Sequence, residues 1–161
     1  MASYDRGMTM VHWQWCHLSD LSPRRLYALM AVRVEVFVVE QNCPYQDLDG
    51  LDLEARHLIG WSGDKIAAYL RLLGPNTRFT EPSLGRVLTT QSFRGTGIGK
   101  ELMEVALREV DARHSTASFR ISAQSHLQRF YGTFGFVTDS DEYLEDGIPH
   151  IEMLRPPRDA L

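Results

Sequence analysis

The stretch that most constrains this chain runs from Leu84 to Lys100, LGRVLTTQSFRGTGIGK. An extended run and a short polar turn lead into a loop with Gly95, Gly97 and Gly99 at every second position. A helical pattern follows at once, with Leu102, Met103, Ala106, Leu107 and Val110 at i, i+3, i+4 spacing. The glycines therefore sit between a strand and a helix start. Backbone N–H groups there lack intrahelical partners, and the helix dipole is positive. Glycine permits positive φ and close approach of a ligand. Arg94 and Lys100 flank the loop, and it holds no acid before Glu101. An anion fits here, phosphate best of all; the alternative is a Gly-rich turn that binds nothing.

Two familiar phosphate patterns fail. A Walker A loop needs Gly where Arg94 stands and Ser or Thr where Glu101 stands. A dinucleotide loop starting at Gly95 needs Gly at Lys100, and no βαβ context precedes it. What remains is Arg-x-x-Gly-x-Gly, from Arg94 through Gly97 to Gly99.

A chain of 161 residues suits one domain, 1–161, with a loose N-terminus over 1–9. The net charge of -4 argues against a general nucleic-acid binder. Cys16 and Cys43 form no CxxC pair and fit a reducing, cytoplasmic setting. No apolar run reaches membrane-spanning length.

Met10 to Leu18 alternates as a strand, and Ser22-Pro23 opens a helix. Leu26, Leu29, Met30, Arg33 and Phe37 line one stripe, so Arg33 borders something polar. The β-branched run Val34 to Val39 predicts that the helix ends there and continues extended. Gln41 to Glu54 is an acidic loop: either simply solvated, or a surface that attracts a cationic amine. Its ligand order is wrong for calcium, and no metal is expected. His57 to Trp61 and Ile66 to Leu73 read as a hairpin, and Leu84 to Thr90 as a strand. The Gly loop and its helix to about Arg113 follow, then a strand, Phe119 to Gln124, and a helix from Ser125 to Phe134. Phe136 to Tyr143 starts a strand or bulged hairpin, and Ile148 to Arg155 is the last strand. One crossover through the Gly loop implies one parallel pair. The expected class is α+β (mixed α/β), a mostly antiparallel mixed sheet with helices on both faces.

The loop and this order resemble the GNAT superfamily of acyl-CoA-dependent N-acetyltransferases. Tyr131 in FYGTFGF, ahead of Gly135-Phe136, resembles the family's Tyr-before-Gly-Phe motif. The strings FVVEQNCPYQDLDGLD, GRVLTTQSFRGTGIG, AQSHLQRFYGTFGF and EDGIPHIEM are similar to its ElaA-like branch. The resemblance implies the GNAT fold and acetyl-CoA as cosubstrate. Val87, Leu88 and Thr89 would offer main-chain groups to the pantetheine arm. Gly95, Thr96, Gly97, Ile98, Gly99 and Lys100, with Arg94 beside them, would hold the pyrophosphate. A main-chain N–H of Leu88 or Thr89 would meet the thioester oxygen. Gln124 stands where many members carry Asn.

Tyr131 stands at the position of the family's acid; the alternative is a purely packing role. Some members carry a catalytic Glu where this chain has Phe119, so the base is open among Glu40, His57, His150, Asp146 and a water chain. Arg33 and Arg86 are candidate partners of Glu40. The expected reaction is N-acetylation of a primary amine on a small molecule or peptide. The acidic loop with Glu142, Glu145 and Asp146 favours a cationic acceptor. Expected partners are acetyl-CoA and that amine, with a homodimer left open and neither nucleic acid nor membrane. The competing readings are a non-catalytic acyl-CoA-binding sensor, which the Phe119 position supports, and a nucleotide-phosphate enzyme.

Overall fold

Alternating apolar residues make His12–Cys16 an edge strand, β1, with Trp13 opposite Gly60 of β2 (Arg56–Ser62). Residues 10–160 are described by the computed structural model; the expected loose stretch 1–9 lies outside them. β2 turns through Gly63 and Asp64 into β3 (Lys65–Leu73), and Ser62 pairs with Lys65. Nearly every residue of these two strands is buried, as expected of central strands covered on both faces. β4 (Ser83–Thr89) runs antiparallel to β3, and β5 (Phe119–Gln124) runs parallel to β4. β8 (Ile148–Arg155) lies antiparallel to β5 and carries two short strands, β6 (Val137–Thr138) and β7 (Tyr143–Glu145). The spatial order is β1-β2-β3-β4-β5-β8-β6, with β7 beside β8, and β4–β5 supplies the expected parallel pair.

Two cores flank the sheet. α2 (Ile98–Arg113) buries Leu102, Met103, Ala106 and Val110 against Leu58, Leu70, Phe119 and Ile121. α1 (Pro23–Val34) packs Leu29 with Ile59, Trp61 and Tyr69 on the opposite face. Adjacent residues such as Leu58 and Ile59 serve different cores, which is the period of two that a strand imposes. Ser22 caps α1, its hydroxyl accepting from Arg25 N at 3.3 Å. Among the described residues no helix is long and apolar enough to cross a membrane.

Three local expectations need correction. Val34–Val39 does not become extended: Glu35–Glu40 continues α1 as a wider π turn. The β-branched preference is a fraction of about 1 kcal/mol per residue, and burial of Val36 and Phe37 outweighs it. The helix expected over Ser125 to Phe134 is a 3₁₀ turn, Ser125–Leu127, followed by a short α3 (Gln128–Gly132). The chain then turns at Gly135, whose φ is +87°. The final segment uses three strands rather than two, the short β6 and β7 and the longer β8, and Asp146 and Gly147, both at positive φ, join β7 to β8.

Two irregularities open the sheet where the site lies. β4 and β5 share a single register pair, Ser83 with Arg120, and diverge beyond it. β4 also bulges: Tyr69 faces Leu88 while Arg71 faces Gly85. The extra residue includes Arg86 at φ +54°, a left-handed conformation that costs a non-glycine residue about 1–3 kcal/mol.

Candidate active site

Gln91–Phe93 makes one 3₁₀ turn, and Gly95 and Gly97 then take φ of +76° and +88°. A Cβ on either glycine meets nothing within 4 Å, so backbone conformation, not crowding, asks for glycine. Gly97 caps α2. Among the described residues, the amides of Gly95, Thr96, Gly97, Ile98, Gly99 and Lys100 donate to no protein carbonyl, and the first closing bond is Glu101 N to Gly97 O at 3.1 Å. Six consecutive open donors at a helix N-terminus form an anion cradle. Within it, Ile98 turns its side chain into the core, whereas Lys100 lies in solvent near Glu104. Arg94 does not point into open space: its Nη2 donates to Glu40 Oε2 at 2.6 Å and its Nε to Thr89 O at 3.1 Å.

One cleft of about 560 Å³ runs from Arg94 along Val87, Leu88 and Thr89 to Tyr131, Gln124 and His150. Thr90 N donates to Ala67 O of β3 at 3.0 Å. By strand alternation, the Thr89 N–H and C=O face the side from which β5 diverges. Of the two amides considered for the thioester oxygen, that of Thr89 therefore faces the cleft. Tyr131 packs edge-on against Phe130 and Phe136, with centroids 5.2 and 6.2 Å away. No hydrogen bond or charge among the described residues offsets its burial, which pushes its pKa above the ordinary range. Packing and chemistry are thus compatible for this side chain. Gln124 Nε2 reaches Gln41 Oε1 at 3.3 Å and ties β5 to the loop after the π turn.

The far end of the cleft is polar. His150 Nδ1 lies 2.7 Å from Ile148 O, which favours a proton on Nδ1 and leaves Nε2 as the basic nitrogen. That Nε2 is 3.8 Å from Glu145 Oε2. Glu145 also accepts from Ser122 Oγ at 2.9 Å and from Arg78, and Ser122 Oγ lies 2.5 Å from Tyr143 Oη. Burial raises the Glu145 pKa, but Arg78 and Ser122 outweigh it and hold the carboxyl below its usual range. Asp146 also lines this end, its carbonyl 3.5 Å from Cys43 Sγ. Sequence reasoning missed Ser122, Tyr143 and Arg78; the alternation of β5 places Ser122 on the same side as Gln124, the one available signal.

The acidic loop behaves unlike either expectation. Asp47, Asp49 and Asp52 turn inward onto Arg33, Arg71 and Arg86, three against three. Arg33 Nε meets Asp47 Oδ2 at 3.0 Å and its Nη1 meets Asp52 Oδ1 at 2.5 Å. Arg71 binds Asp49 through two bonds, at 2.8 and 2.9 Å, and Asp52 at 2.9 Å. Arg33 and Arg86 are therefore partners of these aspartates and not of Glu40, and these loop acids are neutralised internally. His57 is fully buried beneath them, Nε2 2.9 Å from Asp52 O and Nδ1 2.7 Å from Tyr69 Oη. Burial lowers its pKa. With both nitrogens occupied and no face on the cleft, His57 is structural. Glu40 sits at the Gly-loop end with Arg94, outside the residues that line the cleft.

Residues 20–155 match the acetyltransferase (GNAT) domain family. The chain belongs to that family. It is 45% identical over 148 residues to protein ElaA of Escherichia coli strain K12, spanning 91% of this chain and 97% of that one. The crystal structure of E. coli ElaA superposes with a TM-score of 0.84, at 44% identity over 91% and 99% of the two chains. An acyl-CoA N-acyltransferase from Pseudomonas aeruginosa superposes with a TM-score of 0.85, at 46% identity over 91% of this chain and 99% of that structure. This GNAT chain buries Phe119, at 1% exposure, in the α2 core. It has no carboxylate there.

Proposed function

We propose that this GNAT chain transfers the acetyl group of acetyl-CoA to a primary amine by direct attack. The observation that carries the reading is that one cleft runs along the exposed edge of β4 from Tyr131 to Arg94, the residue directly before the six open amides of the Gly loop. Gly95 to Lys100 would hold the pyrophosphate and Val87 to Thr89 the pantetheine arm, as an added strand holds to a sheet edge. The Thr89 amide would face the carbonyl oxygen and stabilise the charge that develops on it.

The amine nitrogen forms its bond to the carbonyl carbon as the C–S bond breaks. His150 Nε2 takes the proton that the nitrogen sheds, and the departing thiolate takes the proton of Tyr131. A tyrosine whose pKa burial has raised stays protonated throughout the physiological range. It can give a proton but not take one, and because burial also makes it a weaker acid, its donation goes together with C–S cleavage. This reading treats 1–161 as one acetyltransferase domain, and its buried free thiols, Cys16 and Cys43, fit a cytoplasmic setting. A binder without turnover is the competing reading, on the strength of Phe119.

The test is a melting series with acetyl-CoA, CoA, ATP and NAD, followed by thiol detection over an amine panel. Selective stabilisation by acetyl-CoA and CoA with amine-dependent thiol release is expected. Stabilisation without release by any amine would favour the binder, and a shift with ATP alone would overturn the phosphate assignment.

A further inference from the structure

The cleft contains a cation that the ion-pair network satisfies on one edge only. Arg86 stands at φ +54° in the β4 bulge, directly before the Val87–Thr89 edge. Its Nε lies 2.6 Å from Asp47 Oδ1, and its Nη2 donates to Asp47 O at 3.2 Å and to Asp49 Oδ2 at 3.4 Å. Its Nη1 has no partner among the described residues. The guanidinium is held over the rings of Phe37 and Tyr45, at 5.9 and 5.5 Å, and lines the cleft. A guanidinium fixed on one edge by protein acids and on its faces by two rings presents its other edge to whatever enters. Strained backbone retained at such a place points to function more than to folding.

An acid and a histidine line the same cleft. Glu145 and His150 stand there, and Cys43, two residues before Tyr45, touches the Asp146 carbonyl beside them. The loop carrying Tyr45 thus touches both Arg86 and the residue after Glu145. We infer that the acceptor is an amino acid-like zwitterion: its carboxylate docks on the free edge of Arg86, and its amine lies toward His150. Arginine suits a planar carboxylate, which takes its N–H groups in a fixed fork. The inference rests on the transferase reading and replaces the cationic acceptor that the acidic loop suggested.

The test uses matched acceptor sets built on glycine, leucine, phenylalanine and glutamate. Each set comprises the amino acid, its α-carboxamide, the α-decarboxylated amine and the aminophosphonate. In at least one set the carboxylate should exceed its carboxamide in kcat/KM by about tenfold or more, the scale of one charge-assisted hydrogen bond. Arg86→Lys keeps a charge beside Asp47 and should collapse that ratio while acetyl-CoA affinity holds. A ratio surviving in both Arg86→Lys and Arg86→Gln, or carboxamides and bare amines matching the acids in every set, overturns the inference. Preference for the phosphonate over the carboxylate overturns the carboxylate assignment. If no acceptor releases thiol, the same sets are titrated calorimetrically against the CoA complex. Arg86-dependent binding of carboxylates then upholds the site while the transfer reaction fails, and binding by none overturns the site.

Discussion

Glu40 and Arg94, 54 residues apart in the chain, meet at 2.6 Å between the π turn and the Gly loop. The same guanidinium holds the Thr89 carbonyl. The contact therefore joins the end of α1 to the loop assigned to the pyrophosphate. Both side chains are partly exposed, so the pair adds at most about 1 kcal/mol to stability. Its larger effect is on the availability of Arg94. Glu40→Gln frees the guanidinium for phosphate and should tighten CoA binding about two- to fivefold at low salt, with the gain shrinking as salt rises. Arg94→Gln should weaken binding. Calorimetry with CoA checks both; weaker binding in Glu40→Gln would make the carboxylate a positioning partner of Arg94 instead of its competitor.

Gly97→Glu separates folding from ligand binding. The new side chain meets no neighbour, so its cost is the left-handed backbone at φ +88°, about 1–2 kcal/mol. Its carboxylate lies among the open amides where phosphate would sit. The expected result is a folded protein, melting a few degrees lower, that no longer binds CoA. Gly97→Asn, better tolerated at this φ and uncharged, should retain most of the affinity. Unchanged CoA affinity in Gly97→Glu would end the phosphate-loop assignment.

What the sequence made legible was local in the chain. The Gly loop, the Ser22 cap and the period-two strands are patterns within a few residues, and each stands where it was expected. Arg33 was readable as a polar interruption, but its partners were not. Asp47 and Asp52 lie 14 and 19 residues further along, and Arg71 and Arg86 reach the same loop from other strands. An acid count cannot distinguish a solvated loop from one folded onto buried arginines. Nor does one residue type announce the strain at Arg86, which comes from the bulge against β3. His57 and His150 looked alike as histidines at strand starts; only tertiary placement seals one and opens the other.

Tyr131 and His150 should fail in different ways. No hydrogen bond among the described residues offsets the burial of the Tyr131 hydroxyl, so Tyr131→Phe should melt like the parent and bind acetyl-CoA equally well. Its turnover should fall about 10²-fold if the proton to the thiolate is lost. His150→Asn should also lose turnover. Raising the pH increases the neutral fraction of the amine and should recover much of that loss, but not the loss in Tyr131→Phe. Rates from pH 7 to 10 check this, and parallel profiles for both variants would mean that His150 is not the base.

Acid should unfold the protein in two stages set by the network under the loop. Burial keeps the His57 pKa below its ordinary 6.5. As pH drops through that value the unfolded chain takes up a proton that the folded one refuses, and stability declines. The decline stops once the folded imidazole also titrates. Asp49 and Asp52 act lower down. Burial raises their pKa values, but hydrogen bonds from Arg71 and Arg33 outweigh it and hold both below 3.8, Asp49 at about 2. Their contribution is complete above the unfolded value and is lost as pH falls through the folded one. Urea unfolding from pH 8 to 2 should therefore show a first loss beginning near 6.5 and a second beginning near 4. His57→Gln should remove the first stage and leave the pH profile of turnover unchanged. Asp52→Asn leaves Arg33 and Arg71 short of a buried counter-charge and should cost about 3–5 kcal/mol at pH 7. A single acid transition in the parent protein, or an Asp52→Asn variant as stable as the parent, would mean that the network does not clamp the loop.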